Sequence, residues 1–256
     1  MGKQKLTGIE FMKKMCHLVP NKTDRFGWQI PRTQLQNENF HITGLVITAY
    51  LNNTSIGEVL KYDLNLILTI HPIEGDNMIE FYDVIYKNDI FVFCLGENWI
   101  YNSDVGTEYL LNTFNLVNYV KWIEYQIKPI IFINLNNGIL LDQILQRFKN
   151  IVLYYPLKNP SRSEKITTSL FIITEEIEIH QIPNNISLIF TMKLTQNLRN
   201  YCMKNGIYLI LLDNNQVLNE ITRDLSYSIS SFLKINTHFT SLKTQKIQIL
   251  NGLDGI

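Results

Sequence analysis

Charge is scarce in this chain and neither sign prevails: 18% of its 256 residues are charged, with Lys plus Arg and Asp plus Glu both at 23. No net field is left to hold nucleic acid nonspecifically or to bind an anionic membrane surface. Cysteine is equally sparse. Cys16, Cys94 and Cys202 stand far apart inside apolar segments, a pattern that excludes a paired-cysteine metal or redox motif and suits reduced core thiols of an intracellular protein. No apolar run reaches the roughly 18 residues that a membrane span requires. The N-terminal segment holds Lys3, Lys5, Lys13 and Lys14 without arginine or an apolar secretory core, and Leu6 stands where an acylation signal beginning Met1-Gly2 wants Ser or Thr. A cytoplasmic location is the expectation. Also missing are a Gly-rich phosphate loop and a Ser-His-Asp pattern.

What is present is apolar and periodic. The chain is 46% hydrophobic, enough for a folded core. Thr7-Gly8-Ile9-Glu10 is a capping box opening a helix from Gly8 to Val19, which Pro20 ends. Residues 21–39 are polar and turn-rich around Phe26-Gly27-Trp28. Strand patterns at 42–49, 65–70 and 90–95 then alternate with helical patterns near 54–63, 77–87 and 104–114. Right-handed crossovers make those three strands parallel neighbours. Apolar runs at 117–125 and 130–133 flank Lys128-Pro129, and a helix at 140–148 follows. Strands are expected at 152–155, 169–173 and 177–182, with a surface loop at 156–164. The last module is a strand at 187–191, a helix at 194–205 closed by Gly206, a strand at 207–212 and a helix at 216–233. No element is assigned after Lys234.

The expected fold class is α/β, with two intertwined α/β lobes whose mostly parallel sheets are flanked by helices. By pattern, 1–116 form an N-terminal α/β lobe, 117–182 a central α/β region, and 183–256 a C-terminal βαβα module that completes the fold.

Parallel strands end on a common edge, where ligands of open α/β sheets bind. That edge gathers Tyr50, His71 and the stretch from Gly96 to Ile100. His71 is suited either to metal ligation or proton transfer, or simply to a hydrogen bond with loop backbone. Glu97, Asp104, Asp213 and Glu220 are the acidic candidates, and Asp104 is most simply a helix N-cap. His71 with Glu97 and Asp213 would support at most one weakly bound divalent metal. Trp99 falls at the crevice edge, where its ring would fill space otherwise used by metals and water.

In order along the chain, Asp24-Arg25-Phe26-Gly27-Trp28-Gln29-Ile30, Thr69-Ile70-His71-Pro72, Lys87-Asn88-Asp89-Ile90-Phe91-Val92-Phe93, Gly96-Glu97-Asn98-Trp99-Ile100 and Leu209-Ile210-Leu211-Leu212-Asp213-Asn214 keep a distinctive spacing. That spacing resembles the Nif-three-like family, dinuclear-metal-centre proteins also described as homologues of a type 2 GTP cyclohydrolase I. The resemblance covers about residues 7–230. It implies a Nif-three-like fold and metal-ligand positions at Ile70, His71, Ile100, Asn214 and Leu218. Only His71 keeps the family's residue type. A shifted C-terminal register would offer Glu220 as the glutamate but Gln216 as its partner. Aliphatic side chains at ligand positions remove both donor and charge. The resemblance therefore implies a divergent, metal-free protein without a cofactor, acting as a binding or regulatory scaffold. It also implies self-association as a trimer or hexamer, with a protein partner as a further possibility. The competing expectation is a metal-dependent hydrolase of a nucleotide or other phosphoester, using His71 with Glu97 or Asp213.

Overall fold

The computed structural model describes residues 6–19, 25–30, 40–73, 77–96, 111–112, 120–127, 130–147, 152–154, 165–172 and 178–243. Strand β1 (Leu6–Thr7) runs directly into helix α1 (Gly8–Leu18) through the expected capping box. Thr7 Oγ1 accepts from the Glu10 amide at 3.2 Å, and Glu10 Oε2 accepts from the Thr7 amide at 2.9 Å. That amide holds the Glu10 carboxyl below its ordinary pKa. Strands β2 (Gly27–Ile30), β3 (His41–Ile42) and β4 (Gly44–Thr48) follow, then helix α2 (Asn53–Lys61), strand β5 (Leu66–Thr69), helix α3 (Asn77–Lys87) and strand β6 (Phe91–Cys94). A second capping box starts α2: Asn52 Oδ1 accepts from the Ser55 amide and Ser55 Oγ accepts from the Asn52 amide.

Further along, β7 (Val120–Ile127), β8 (Ile130–Leu140), α4 (Leu141–Arg147), β9 (Val152–Tyr154) and β10 (Lys165–Ile172) lead to β11 (Leu188–Thr191). The chain closes with α5 (Gln196–Asn205), β12 (Tyr208–Leu212), α6 (Asn214–Leu233) and β13 (Asn236–Phe239). Gly206 ends α5 in the left-handed conformation at φ 68°, donating its amide to the Cys202 carbonyl.

Two compact units result, Met1–Tyr109 with Leu218–Leu242, and Leu110–Val217 with Lys243–Ile256. The C-terminal module 183–256 thus contributes residues to both. The first unit holds a five-stranded sheet in the order β13-β4-β5-β6-β2. Its β4, β5 and β6 are parallel neighbours, as the crossovers require, and only β2 is antiparallel. The second unit holds a six-stranded mixed sheet in the order β7-β8-β10-β11-β12-β9, parallel through β10, β11 and β12. Both are α/β arrangements with parallel strands and flanking helices.

Alternate residues of the buried strands face opposite sides. On one face of the first sheet, Val46, Ile67 and Val92 pack with Ile56 and Val59 of α2 and with Phe81 and Ile85 of α3. On the other, Phe93 meets Phe11 of α1 edge to face at 5.2 Å and Trp28 of β2 at 5.0 Å. The second unit buries Phe132, Ile182, Ile189, Leu198, Cys202 and Leu209 together. Burial pushes the Cys202 thiol up to about 12.

Two sequence expectations are corrected, and one unassigned stretch gains an element. Residues 27–30 are not turn but strand β2, because Trp28 and its neighbours are drawn into the aromatic cluster on β6. Within 177–182, a 3-10 turn at Ile179–Gln181 replaces a strand, its Ile182 amide bonding the Ile179 carbonyl at 3.2 Å. The isoleucines there serve a period of three as well as a period of two, and both Ile179 and Ile182 reach the core. After Lys234 the chain forms β13, whose partner β4 lies far away in sequence. The expected helix at 104–114 and loop at 156–164 lie largely or wholly outside the described residues.

Gly44 lets β13 approach. A Cβ there would lie 2.8 Å from the Asn236 carbonyl oxygen and 2.6 Å from Leu64 Cδ2. Gly44→Ala is expected to destabilise the first unit by about 1–3 kcal/mol in chemical denaturation, through displacement of β13. In native protein at pH 8, half-buried Cys16 is expected to react with iodoacetamide well before buried Cys94 and Cys202. Peptide mapping of the labelled thiols checks the order.

Candidate functional site

The parallel register of β4, β5 and β6 lays matched residues side by side in tiers. Val46, Ile67 and Val92 form one tier; Thr48, Thr69 and Cys94 form the next on the same face. All six are buried. One further step brings Tyr50, His71 and Gly96 to the edge, as the sequence expects.

Hydrogen bonding holds this edge in place. Thr48 Oγ1 donates to the Tyr50 carbonyl at 3.0 Å and accepts from Asn52 Nδ2 at 3.3 Å. The same amide nitrogen donates to the Tyr50 carbonyl at 2.8 Å. Asn52 therefore caps α2 and ties its first turn back to the end of β4. The His71 amide continues the ladder by donating to the Ala49 carbonyl at 3.0 Å, and the Leu95 amide donates to the Thr69 carbonyl at 2.9 Å. The Tyr50 ring and the His71 imidazole stack at 4.2 Å between centroids and 10° between planes. Cys94 Sγ donates to the Ile70 carbonyl at 3.4 Å and accepts from the Gly96 amide at 3.1 Å.

Two residues before His71 on β5, Thr69 is fully buried and its Oγ1 has no hydrogen-bond partner among the described residues. Thr240, just past β13, is also buried with an unpartnered Oγ1. An unsatisfied buried hydroxyl costs about 1–3 kcal/mol. These hydroxyls escape a motif search, since a threonine ending a strand is ordinary in sequence and only the register shows what lies beside it.

In the second unit, Asp213 caps α6. Its Oδ1 accepts from the Asn215 amide at 2.9 Å and from the Gln216 amide at 3.2 Å. That explains why α6 begins at Asn214, two residues earlier than its apolar pattern suggests. Asn214 is half-buried in the first turn. In the first unit, Leu218 is packed in the core, and Glu220 pairs with Arg223 one turn on. Asn219 clamps the chain after β13, accepting from the Leu242 amide at 2.7 Å and donating to its carbonyl at 3.0 Å. Glu97, Trp99, Ile100 and Asp104 lie outside the described residues.

No family model matches the chain, and no curated protein matches its sequence. Solved structures do. Reduced HcgD from Methanocaldococcus jannaschii matches with a TM-score of 0.69 at 12% identity, over 93% of this chain and 99% of that one. A hypothetical protein of Staphylococcus aureus matches at 0.68 and 16% identity, over 96% and 100%. A Bacillus cereus protein related to NIF3 matches at 0.63 and 11% identity, over 99% and 100%. This chain has the NIF3-like fold.

The donors at the implied ligand positions do not suit a pair of metals in that fold. Ile70 and Leu218 are aliphatic and buried, Asn214 offers only a neutral amide, and His71 contributes one imidazole. Two divalent ions need several nitrogen donors and carboxylates to offset their charge. Among the described residues, no group of three or more His, Cys, Asp and Glu is arranged to hold a metal. No helix of the described residues is long and apolar enough to cross a membrane.

Asp213 is expected to act through its cap. Asp213→Ala should cost about 1 kcal/mol in urea denaturation, while Asp213→Asn, still able to accept both amides, should cost only a few tenths. Equal losses in both variants would mean that charge rather than capping matters there.

Proposed function

We propose that this chain is a divergent, metal-free NIF3-like protein that works as a binding or regulatory scaffold and self-associates. The observation that carries this reading is the fate of the implied ligand positions: Ile70 and Leu218 are taken up in core packing. Asp213 supports it too, since its Oδ1 serves the first turn of α6. Reversing such changes would require polar groups in places now closed by apolar contacts. At the sheet edge, the stacked Tyr50 and His71 rings provide surface for recognition.

Self-association is supported by the lack of net charge and by apolar side chains at the surface. Ile79 on α3 is 77% exposed and Tyr227 on α6 is 70% exposed. Burial of such groups between copies would gain on the order of 25 cal/mol per Å² of apolar surface.

Elemental analysis of the purified protein tests the metal assignment. The expected result is well under one transition-metal ion per chain, whereas two tightly held ions would return the protein to metal-dependent hydrolysis. His71→Ala should leave metal content and oligomeric mass unchanged, with a stability loss on the order of 1 kcal/mol. Loss of metal and of phosphoester hydrolysis together in that variant, with fold and assembly intact, would establish the hydrolase instead. Light scattering of the full chain should give a mass above that of one chain.

A further inference from the structure

We infer that the outer face of the α2–α3 layer is a two-fold contact on which a second copy of this chain docks, α3 against α3 in antiparallel order, with Asp83 of each copy beside Lys87 of the other. The inference deepens the proposed self-association and rests on it.

Packing leaves this face open. Ile56 and Val59 of α2 and Phe81 and Ile85 of α3 turn to the same face of the first sheet, so the two helices form one layer. Ile79 and Tyr86 of α3 are exposed, and so is Leu60 of α2. The Tyr86 ring stacks on half-buried Tyr82 one turn back, with 5.5 Å between centroids and 16° between planes. Tyr86 is thus held before any partner arrives, which lowers the ordering cost of docking. Gly57 is a separate observation. It stands in the middle of α2, where glycine is a poor helix former, and a Cβ built there meets nothing within 4 Å. The chain's own packing gives no reason for glycine at that place, whereas close approach of a second chain does.

Charge selects the occupant. Ile79, Asp83, Tyr86 and Lys87 follow the i, i+4, i+7 and i+8 spacing and share the face of α3 away from Phe81 and Ile85. Asp83 and Lys87 are exposed one turn apart with opposite signs, and neither has an ion-pair partner among the described residues. A two-fold axis at the level of Ile85 reverses the direction of α3, so each aspartate meets the lysine of the other copy and the match is made twice. An isologous contact demands such self-complementarity. A partner with a patch of one sign would match one of these charges and repel the other. Between the two charge pairs lie the two Tyr86 rings, whose burial supplies apolar area. A helix of 11 residues is about 16 Å long, a footprint below that of permanent dimers, so the contact depends on concentration.

The test uses the full chain and reads its mass by light scattering and sedimentation over a range of concentrations. Asp83→Lys and Lys87→Glu each set like charges against one another at both contacts, so each variant alone should associate about tenfold more weakly or worse. At concentrations where the wild type is assembled, each should show half the wild-type mass. Mixed in equal amounts, the two variants should regain the full mass, because each then meets its opposite. The double variant Asp83→Lys/Lys87→Glu should regain it as well. Gly57→Gln introduces a better helix former, so it should melt no lower than the wild type under conditions where both are monomeric, yet associate more weakly. Unchanged mass in the single reversals would overturn the inference, as would a mixture that fails to recover or full association in Gly57→Gln. A wild-type chain that stays monomeric at every concentration defeats the proposed self-association and this inference with it; an assembly indifferent to the reversals defeats this inference alone.

Discussion

The ladder joining β13, β4, β5 and β6 in parallel is the constraint from which the rest of the first unit follows. Parallel pairing in register sets residue beside residue, so β4, β5 and β6 repeat one sequence of roles: apolar in the middle, hydroxyl or thiol next, ring or glycine at the edge. Strands buried on both faces must be apolar nearly throughout, and β4, β5 and β6 are. The exceptions are therefore informative. Thr48, Thr69 and Cys94 interrupt the apolar tiers at one level. Thr48 is satisfied by Asn52 and the Tyr50 carbonyl, and Cys94 by two backbone groups. Thr69 stands out because its hydroxyl is buried without that compensation.

Helix capping does much of the remaining positioning. Thr7 with Glu10, Asn52 with Ser55, Thr195 and Asp213 each satisfy amides that an α-helix leaves open at its start. Asn52 and Asp213 lie where strands hand over to helices, the positions from which open α/β sheets usually present functional groups. Both spend polar atoms on the backbone. A polar residue at the ligand-bearing edge is thus not free for chemistry merely because of its place, and packing at Ile70 and Leu218 shows the same priority in apolar form.

Much of this is legible from residue order. The Thr7–Glu10 capping box rests on local contacts, and the three strands around Val46, Ile67 and Val92 are separated by helical spacings that leave little choice but parallel crossovers. Because those strands are parallel, the meeting of Tyr50, His71 and Gly96 at one edge follows from their places along the chain. The stretch at 177–182 resists such a reading, since isoleucines spaced for both two and three residues per turn satisfy either periodicity, and the core decides for the 3-10 turn.

What residue order determined by itself was therefore local and periodic: caps, buried strands, helix ends such as Gly206, and the identity of the residues at the sheet edge. Tertiary structure alone decided that Asn236–Phe239, polar and short, becomes β13 beside β4, because only a partner almost two hundred residues away satisfies its backbone. Likewise it alone drew Trp28 into strand β2 and left Thr69 Oγ1 buried without a partner among the described residues. Each of those outcomes depends on atoms that neighbour one another in space but not along the chain, and no local pattern of side chains carries that information.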